Sequence, residues 1–259
     1  MNIKDLYNIK GKTAIVTGGG RGLGEQMALA FAEAGANVVV CSRKLEACQE
    51  VSEKLVKQGV RSLALQCDVQ NPNDIQFVVQ KTIEEFGSID ILVNNSGASW
   101  MAPALDMEID KWDLVMDINV KGVFLFSQAV GKVMIGQGSG KIINIASITG
   151  FGGQDPRVAD AIGYATSKGA VINFTKDLAV KLAPYNVQVN AIAPGFFPTK
   201  MTKKFLDFVG ESILNRTPAG RFGSDQDIKG PALFLASKAS DFVVGHVLTV
   251  DGGTIAQVL

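Results

Sequence analysis

The chain has 259 residues, 47% of them apolar and 19% charged, which is ample for one large α/β core. Lysine plus arginine equals aspartate plus glutamate at 25 each, so no basic excess points to nucleic acid and no charged block forms a tail. The longest apolar runs fall well short of a membrane span, and the N-terminal Met-Asn-Ile-Lys-Asp-Leu-Tyr-Asn lacks the apolar stretch of a signal peptide. A cytoplasmic protein with no membrane partner is the expectation.

Apolar, β-branched runs alternate with helix-length segments along the whole chain. Thr13–Thr17 is the first predicted strand and Gly22–Gly35 the first helix. Asn37–Cys41 is strand two, and Leu45–Gln58 is a helix stopped by Gly59. Ser62–Val69 gives strand three, Pro72–Phe86 a helix, and Asp90–Asn94 strand four. A long helix is predicted over Ile109–Ile135, strand five over Lys141–Ala146, and a further helix over Ala161–Leu182. Val187–Ala193 is strand six. Two short helices fall within Met201–Asn215 and Asp225–Ser237, and Val243–Val250 is the last strand. Nearly continuous apolar strands between helices imply a parallel sheet buried on both faces, a doubly wound Rossmann-type α/β fold. No linker or repeat interrupts it, so residues 1–259 are expected to form one domain.

Cys41, Cys48 and Cys67 have no metal-ligand spacing, and an odd count argues against a disulfide framework. Cys41 and Cys67 are expected as core thiols. The single histidine, His246, lies inside an apolar run and reads as structural. No metal site is expected.

Thr17-Gly18-Gly19-Gly20-Arg21-Gly22-Leu23-Gly24 joins strand one to a helix. Glycines permit a tight turn and let main-chain N–H groups approach phosphate, while the helix N-terminus adds partial positive charge. Strand two ends in Cys41-Ser42-Arg43-Lys44, with no acid to accept a ribose 2′-hydroxyl. Arg43, Lys44 and Arg21, with Ser42, suit a 2′-phosphate instead, so NADP(H) is expected over NAD(H). Farther on, Tyr164 and Lys168 lie one helical turn apart and share a face. A free phenol titrates near ~10, and an ammonium held nearby favours the phenolate.

In this order, Thr17-Gly18-x3-Gly22-x-Gly24, Asp68-Val69, Asn94-Asn95-Ser96-Gly97, Asn119, Ser147, Tyr164-x3-Lys168 and Pro194-Gly195-x3-Thr199 resemble the short-chain dehydrogenase/reductase family. The resemblance spans about Gly11 to Gly253 and implies roles. Tyr164 would be the general acid that protonates a carbonyl oxygen. Lys168 would lower the Tyr164 pKa and hold the nicotinamide ribose. Ser147 would polarise the carbonyl, and Asn119 would hold the water of a proton relay. Asp68 and Val69 would contact adenine and Asn95, beside Gly97, the ribose region. Thr199, after Pro194-Gly195, would reach the nicotinamide or pyrophosphate, with Gly20 and Leu23 completing the phosphate turn. A homotetramer is implied as well.

Two departures from the family pattern matter. Ser96 stands where alanine is usual. Ser147 and Tyr164 lie 17 positions apart, about three or four more than usual, with the surplus expected in Gly152–Asp160. Residues 195–220 are the expected substrate loop, rich in Phe196, Phe197, Phe205, Leu206, Phe208 and Val209, with Trp100 and Met101 as an opposite wall. An apolar lid favours an apolar or acyl-bearing small-molecule carbonyl substrate. Asn95–Trp100 and Ile192–Thr202 are similar to a rhamnolipid-pathway β-ketoacyl reductase, so NADPH-dependent reduction of a 3-oxoacyl thioester or related ketone is the leading expectation. A carrier-linked acyl chain would find positive charge on Lys200, Lys203 and Lys204. The alternatives are a sugar or sugar-acid dehydrogenase, such as a gluconate 5-dehydrogenase, and a non-catalytic NADP-binding regulatory protein.

Overall fold

Seven parallel strands lie in the order β3-β2-β1-β4-β5-β6-β7. They are β1 (Thr13–Thr17), β2 (Asn37–Ser42), β3 (Ser62–Gln66), β4 (Ile91–Asn94), β5 (Gly140–Ile145), β6 (Val187–Pro194) and β7 (Val247–Val250). The computed structural model describes residues 2–200 and 202–257, so Met201, where one predicted helix region begins, lies outside them. The strand order reverses between β1 and β4, and ligands of such sheets sit at the carboxyl ends of the strands there.

Successive residues of β1 supply both cores. Ala14 and Val16 face α2 (Gly22–Glu33), α3 (Leu45–Val56) and α9 (Asp225–Ala236), meeting Met27, Phe31, Val51 and Leu235. Ile15 faces the other way, onto α4 (Pro72–Phe86) and α6 (Gly122–Gln137), meeting Val78, Phe126 and Met134. Period-two side-chain alternation buried on both faces is what the apolar runs predict. A four-residue α1 (Ile3–Leu6), held by an Asn2–Asp5 capping box, precedes the sheet and is not legible in the apolar pattern.

Three predicted elements change. Strand β3 stops at Gln66 rather than Val69, because the Asp68 carboxylate accepts from the Gln70 N–H and turns the chain. Strand β7 begins at Val247 rather than Val243. Gly245 there takes φ +73° and its N–H donates to the Val189 carbonyl, so His246 precedes the strand. The helix predicted over Ile109–Ile135 is α5 (Ile109–Met116), a π-turn (Asp117–Lys121) and α6. This run has the length and apolarity of a membrane span, yet 56% of its span-length window is buried within the fold.

The remaining helices are α7 (Ile162–Leu182), which flanks β5 and β6, and α8 (Lys203–Leu214), which follows the β6 loop. Cys41, Cys48 and Cys67 are all buried free thiols. Among the described residues, no group of three or more histidine, cysteine, aspartate or glutamate side chains could hold a metal ion.

Candidate active site

A cleft of about 620 Å³ opens at the carboxyl edge of the sheet, beside the reversal point. Its inner wall begins with the glycine turn. Gly18 and Gly22 adopt φ +63° and +57°, the left-handed region that favours glycine. A Cβ at Gly24 would collide with Asn95 Nδ2 and come within 2.5 Å of the Gly18 carbonyl oxygen. Gly24 therefore does not line the cleft; it lets α2 pack against the turn. Asn95 locks that turn from the other side. Its Nδ2 donates to the Thr17 and Gly18 carbonyls at 2.9 and 3.2 Å, while its N–H donates to Thr17 Oγ1.

Helix α2 begins after Arg21, whose side chain makes no capping bond to the first-turn N–H groups. Those donors and the dipole fit a diphosphate. Arg21, Arg43 and Lys44 stand exposed along the same cleft, and none makes an ion pair among the described residues. The Ser42 hydroxyl donates to the Lys44 carbonyl at 3.1 Å and holds the start of α3 in place. Gly20, Leu23, Asp68, Val69, Gly97, Pro194, Gly195 and Thr199 also line the cleft. The residues present therefore fit a dinucleotide along its whole length, with the cationic end suited to a 2′-phosphate.

At the other end stand Ser147, Tyr164 and Lys168. Ser147 caps a short 3₁₀ turn, Ile148–Phe151, and is buried. Tyr164 and Lys168 lie on one face of α7. Lys168 Nζ donates to the Ile145 carbonyl at 2.7 Å and sits 5.6 Å from the Tyr164 ring centre. Burial strips water from the ammonium and lowers its pKa to about 8. Burial likewise raises the Tyr164 phenol, and the neighbouring Ser147 hydroxyl draws it down. In this geometry burial is the larger effect on Tyr164, and the pull toward the phenolate comes from the Ser147 hydroxyl.

Asn119 is fully buried in the π-turn and does not reach the cleft surface. Its Oδ1 accepts from the Ala98 N–H at 2.8 Å, and its Nδ2 donates to the Ala98 carbonyl and Ser167 Oγ, both at 2.9 Å. It ties the loop after β4 to α7. A π-turn carries one extra residue per turn and re-aims its side chains, which accounts for an asparagine in this run.

Thr149, Gly150 and Thr202 escape the sequence reading, and Lys200, expected there only as charge for a carrier-linked chain, joins Thr202 at the cleft. The Thr149 N–H and hydroxyl both donate to Ser147 Oγ. Gly150 lies so close to α7 that a Cβ would fall 2.7 Å from the Lys168 carbonyl carbon. A small residue shortly after the strand-end serine is the only signal that Gly150 leaves in the sequence.

The apolar lid is differently arranged from the expectation. Leu206, Val209 and Ile213 are buried in a small core of their own, with Val158, Phe196, Phe205 and Phe222 packed against it. Phe196 stacks on Phe205 with ring centres 6.2 Å apart. Phe208 is 89% exposed, and Trp100 stands on the surface beneath Lys111. Among the described residues of 196–213, only Phe197, Thr199, Lys200 and Thr202 border the cleft.

The parallel sheet, the glycine turn and the serine–tyrosine–lysine cluster at one strand edge define a dinucleotide-binding oxidoreductase. Residues 18–254 match the family described as enoyl-(acyl carrier protein) reductase. The chain is 43% identical to a 2-dehydro-3-deoxy-D-gluconate 5-dehydrogenase of Dickeya dadantii, covering 98% of this chain and 100% of that protein. Among solved structures, a short-chain type dehydrogenase/reductase from Mycobacterium marinum superposes with TM-score 0.95 at 36% identity, covering 99% and 100% of the two chains. A gluconate 5-dehydrogenase from Burkholderia cenocepacia J2315, in complex with NADP and tartrate, gives TM-score 0.94 at 37% identity over 99% and 100%. The chain belongs to the short-chain dehydrogenase/reductase family and is an enzyme of it, which sets aside the non-catalytic alternative.

Proposed function

We propose that this enzyme interconverts a secondary alcohol and a ketone on a sugar acid, with NADP(H) as cofactor. The observation that carries the substrate class is the polarity of the cleft wall. Leu206 and Val209, with Phe196 and Phe205 against them, are turned into a core of their own, and Thr199, Lys200 and Thr202 border the cleft beside the single phenylalanine Phe197. Lys200 makes no ion pair among the described residues and supplies positive charge for a carboxylate. The relatives named as 5-dehydrogenases of gluconate and of 2-dehydro-3-deoxy-D-gluconate favour the same reading. The 3-oxoacyl thioester and its carrier-linked form lose the apolar lid that supported them.

NADP(H), when bound, supplies or accepts the hydride. Arg43 and Lys44, with Arg21 beside the turn, hold the 2′-phosphate, and the unpaired N–H groups of α2 take the diphosphate. Tyr164 gives its proton to the carbonyl oxygen in reduction and removes it in oxidation. Ser147 donates to the same oxygen, which stabilises charge developing there. Lys168, with a pKa of about 8, is held by the Ile145 carbonyl and places its ammonium beside Tyr164. The Asn119 side chain is fully engaged, so it positions the loop and α7. Residues 1–259 act as one domain with 195–220 as its substrate loop. Exposed Phe124, Val180 and Phe242 support assembly into a homotetramer, in the cytoplasm.

The test is a steady-state panel: D-gluconate and 2-dehydro-3-deoxy-D-gluconate with NADP⁺, and 5-keto-D-gluconate and a 3-oxoacyl thioester with NADPH. The sugar acids should give the higher kcat/KM. A thioester turned over more efficiently than every sugar acid would overturn the assignment.

A further inference from the structure

Ser147 is useful to a carbonyl only if its hydroxyl hydrogen points at the carbonyl oxygen. A serine hydroxyl has one hydrogen to donate and two lone pairs to accept with, and it rotates to suit its neighbours. Here both accepting positions are filled from one residue. The Thr149 N–H donates to Ser147 Oγ at 3.2 Å and the Thr149 hydroxyl donates to it at 3.0 Å. The hydrogen is then not used within its own turn, and Ser147 lines the cleft together with Tyr164.

We infer that Thr149 is a positioning residue that fixes Ser147 as an obligate hydrogen-bond donor, to Tyr164 in the free enzyme and to the substrate oxygen once substrate is bound. The inference rests on the carbonyl chemistry proposed above. It separates the two hydroxyls by role: Ser147 touches the reacting oxygen, and Thr149 acts only through Ser147.

Two consequences follow. With Thr149 in place, Ser147 cannot accept the Tyr164 proton, so it favours the phenolate over the phenol. The direction in which Ser147 draws the Tyr164 titration agrees. Without the Thr149 hydroxyl, one lone pair of Ser147 is freed. Ser147 can then rotate, accept from the Tyr164 hydroxyl and hold the phenol in its neutral form. A lost orientation of this kind weakens the reacting step more than binding, because the oxygen gains charge in the transition state.

Thr149→Val keeps the β-branched shape and the main-chain donor while removing the hydroxyl; Thr149→Ser keeps the hydroxyl. Thr149→Val should lower kcat about 3- to 10-fold, the range of one net hydrogen bond, with the Kd for NADPH unchanged. The alkaline limb of its kcat/KM profile should move up by about half a pH unit. Thr149→Ser should restore both. The phenol can also be read without any substrate. In a Tyr7→Phe, Tyr185→Phe background Tyr164 is the only tyrosine of the three, and its absorbance titration should move upward in Thr149→Val. If no ketone or alcohol is turned over, the proposed chemistry fails while this titration still judges the Thr149–Ser147–Tyr164 coupling. An unmoved titration, or Thr149→Ser impaired as much as Thr149→Val, would overturn the inference and leave Thr149 as packing.

Discussion

A single methyl group added at Gly150 should wedge the Ile148–Phe151 turn away from α7. Its Cβ would lie 2.7 Å from the Lys168 carbonyl carbon and 2.8 Å from both the Lys168 oxygen and the Gly169 nitrogen. All three are main-chain atoms of the helix that carries Tyr164 and Lys168, so no side chain can swing aside. Ordinary contact begins at 3.4 Å, and the difference from 2.7 Å requires the turn to retreat by about 0.7 Å. Ser147 caps that turn and moves with it, away from the Tyr164 hydroxyl. A misplacement approaching 1 Å at a reacting group costs on the order of 10²-fold in rate. Forcing an extra carbon into a packed contact costs about 1–3 kcal/mol of stability. Gly150→Ala should therefore lose about 10- to 100-fold in kcat, followed by the absorbance of reduced nicotinamide, and a few degrees in Tm. Gly152→Ala is the control, because nothing lies within 4 Å of its Cβ and its φ of −168° is extended backbone open to any residue. It should stay within about twofold of the parent, the surface range. A Gly150→Ala enzyme retaining most of its kcat would refute the idea that this contact sets the Ser147–Tyr164 geometry.

Two further outcomes are expected. Lys168 titrates at about 8 in the fold against 10.5 when unfolded, so the unfolded chain binds more protons between those values and stability rises with pH across that window. Relative to Lys168→Met, the parent should gain up to about 3 kcal/mol between pH 8 and 10.5 in urea denaturation, and a constant difference would show that Lys168 is not desolvated as described. Arg43→Ala should raise the KM for NADPH about tenfold or more and leave that for NADH nearly unchanged, since the guanidinium meets only a 2′-phosphate; equal loss with both cofactors would remove Arg43 from that role.

The parallel sheet was legible because its central strands are buried on both faces and carry continuous apolar runs, as in Val38–Cys41 and Ile91–Val93. The chemistry was legible because its residues sit at strand ends or on the next helix, as Gly18, Ser42, Ser147 and Tyr164 do. The bend at Asn119 was only half legible. Asparagine is a poor helix former, which marks the place, but the π-turn joins this segment to Ala98 and Ser167, 21 and 48 residues away. Likewise Gly150 is constrained by main-chain atoms of Lys168 and Gly169, which no local pattern reports.

The substrate loop holds a different lesson. Its aromatic composition suggested an apolar lid, yet composition does not say which way a side chain faces. The spacing does. Leu206, Val209 and Ile213 recur at helical intervals, the stripe of a helix burying one face against its own partners. Phe196 and Phe205 meet that stripe, and Val158, from the segment that lengthens the Ser147–Tyr164 interval, completes it. The extra residues therefore anchor the loop rather than wall the substrate. Once α8 has satisfied its apolar face in this way, the polarity of the cleft is set by the short stretch before it, at Thr199, Lys200 and Thr202. Those are the positions at which related enzymes with different substrates should diverge, while the 206–209–213 stripe stays apolar.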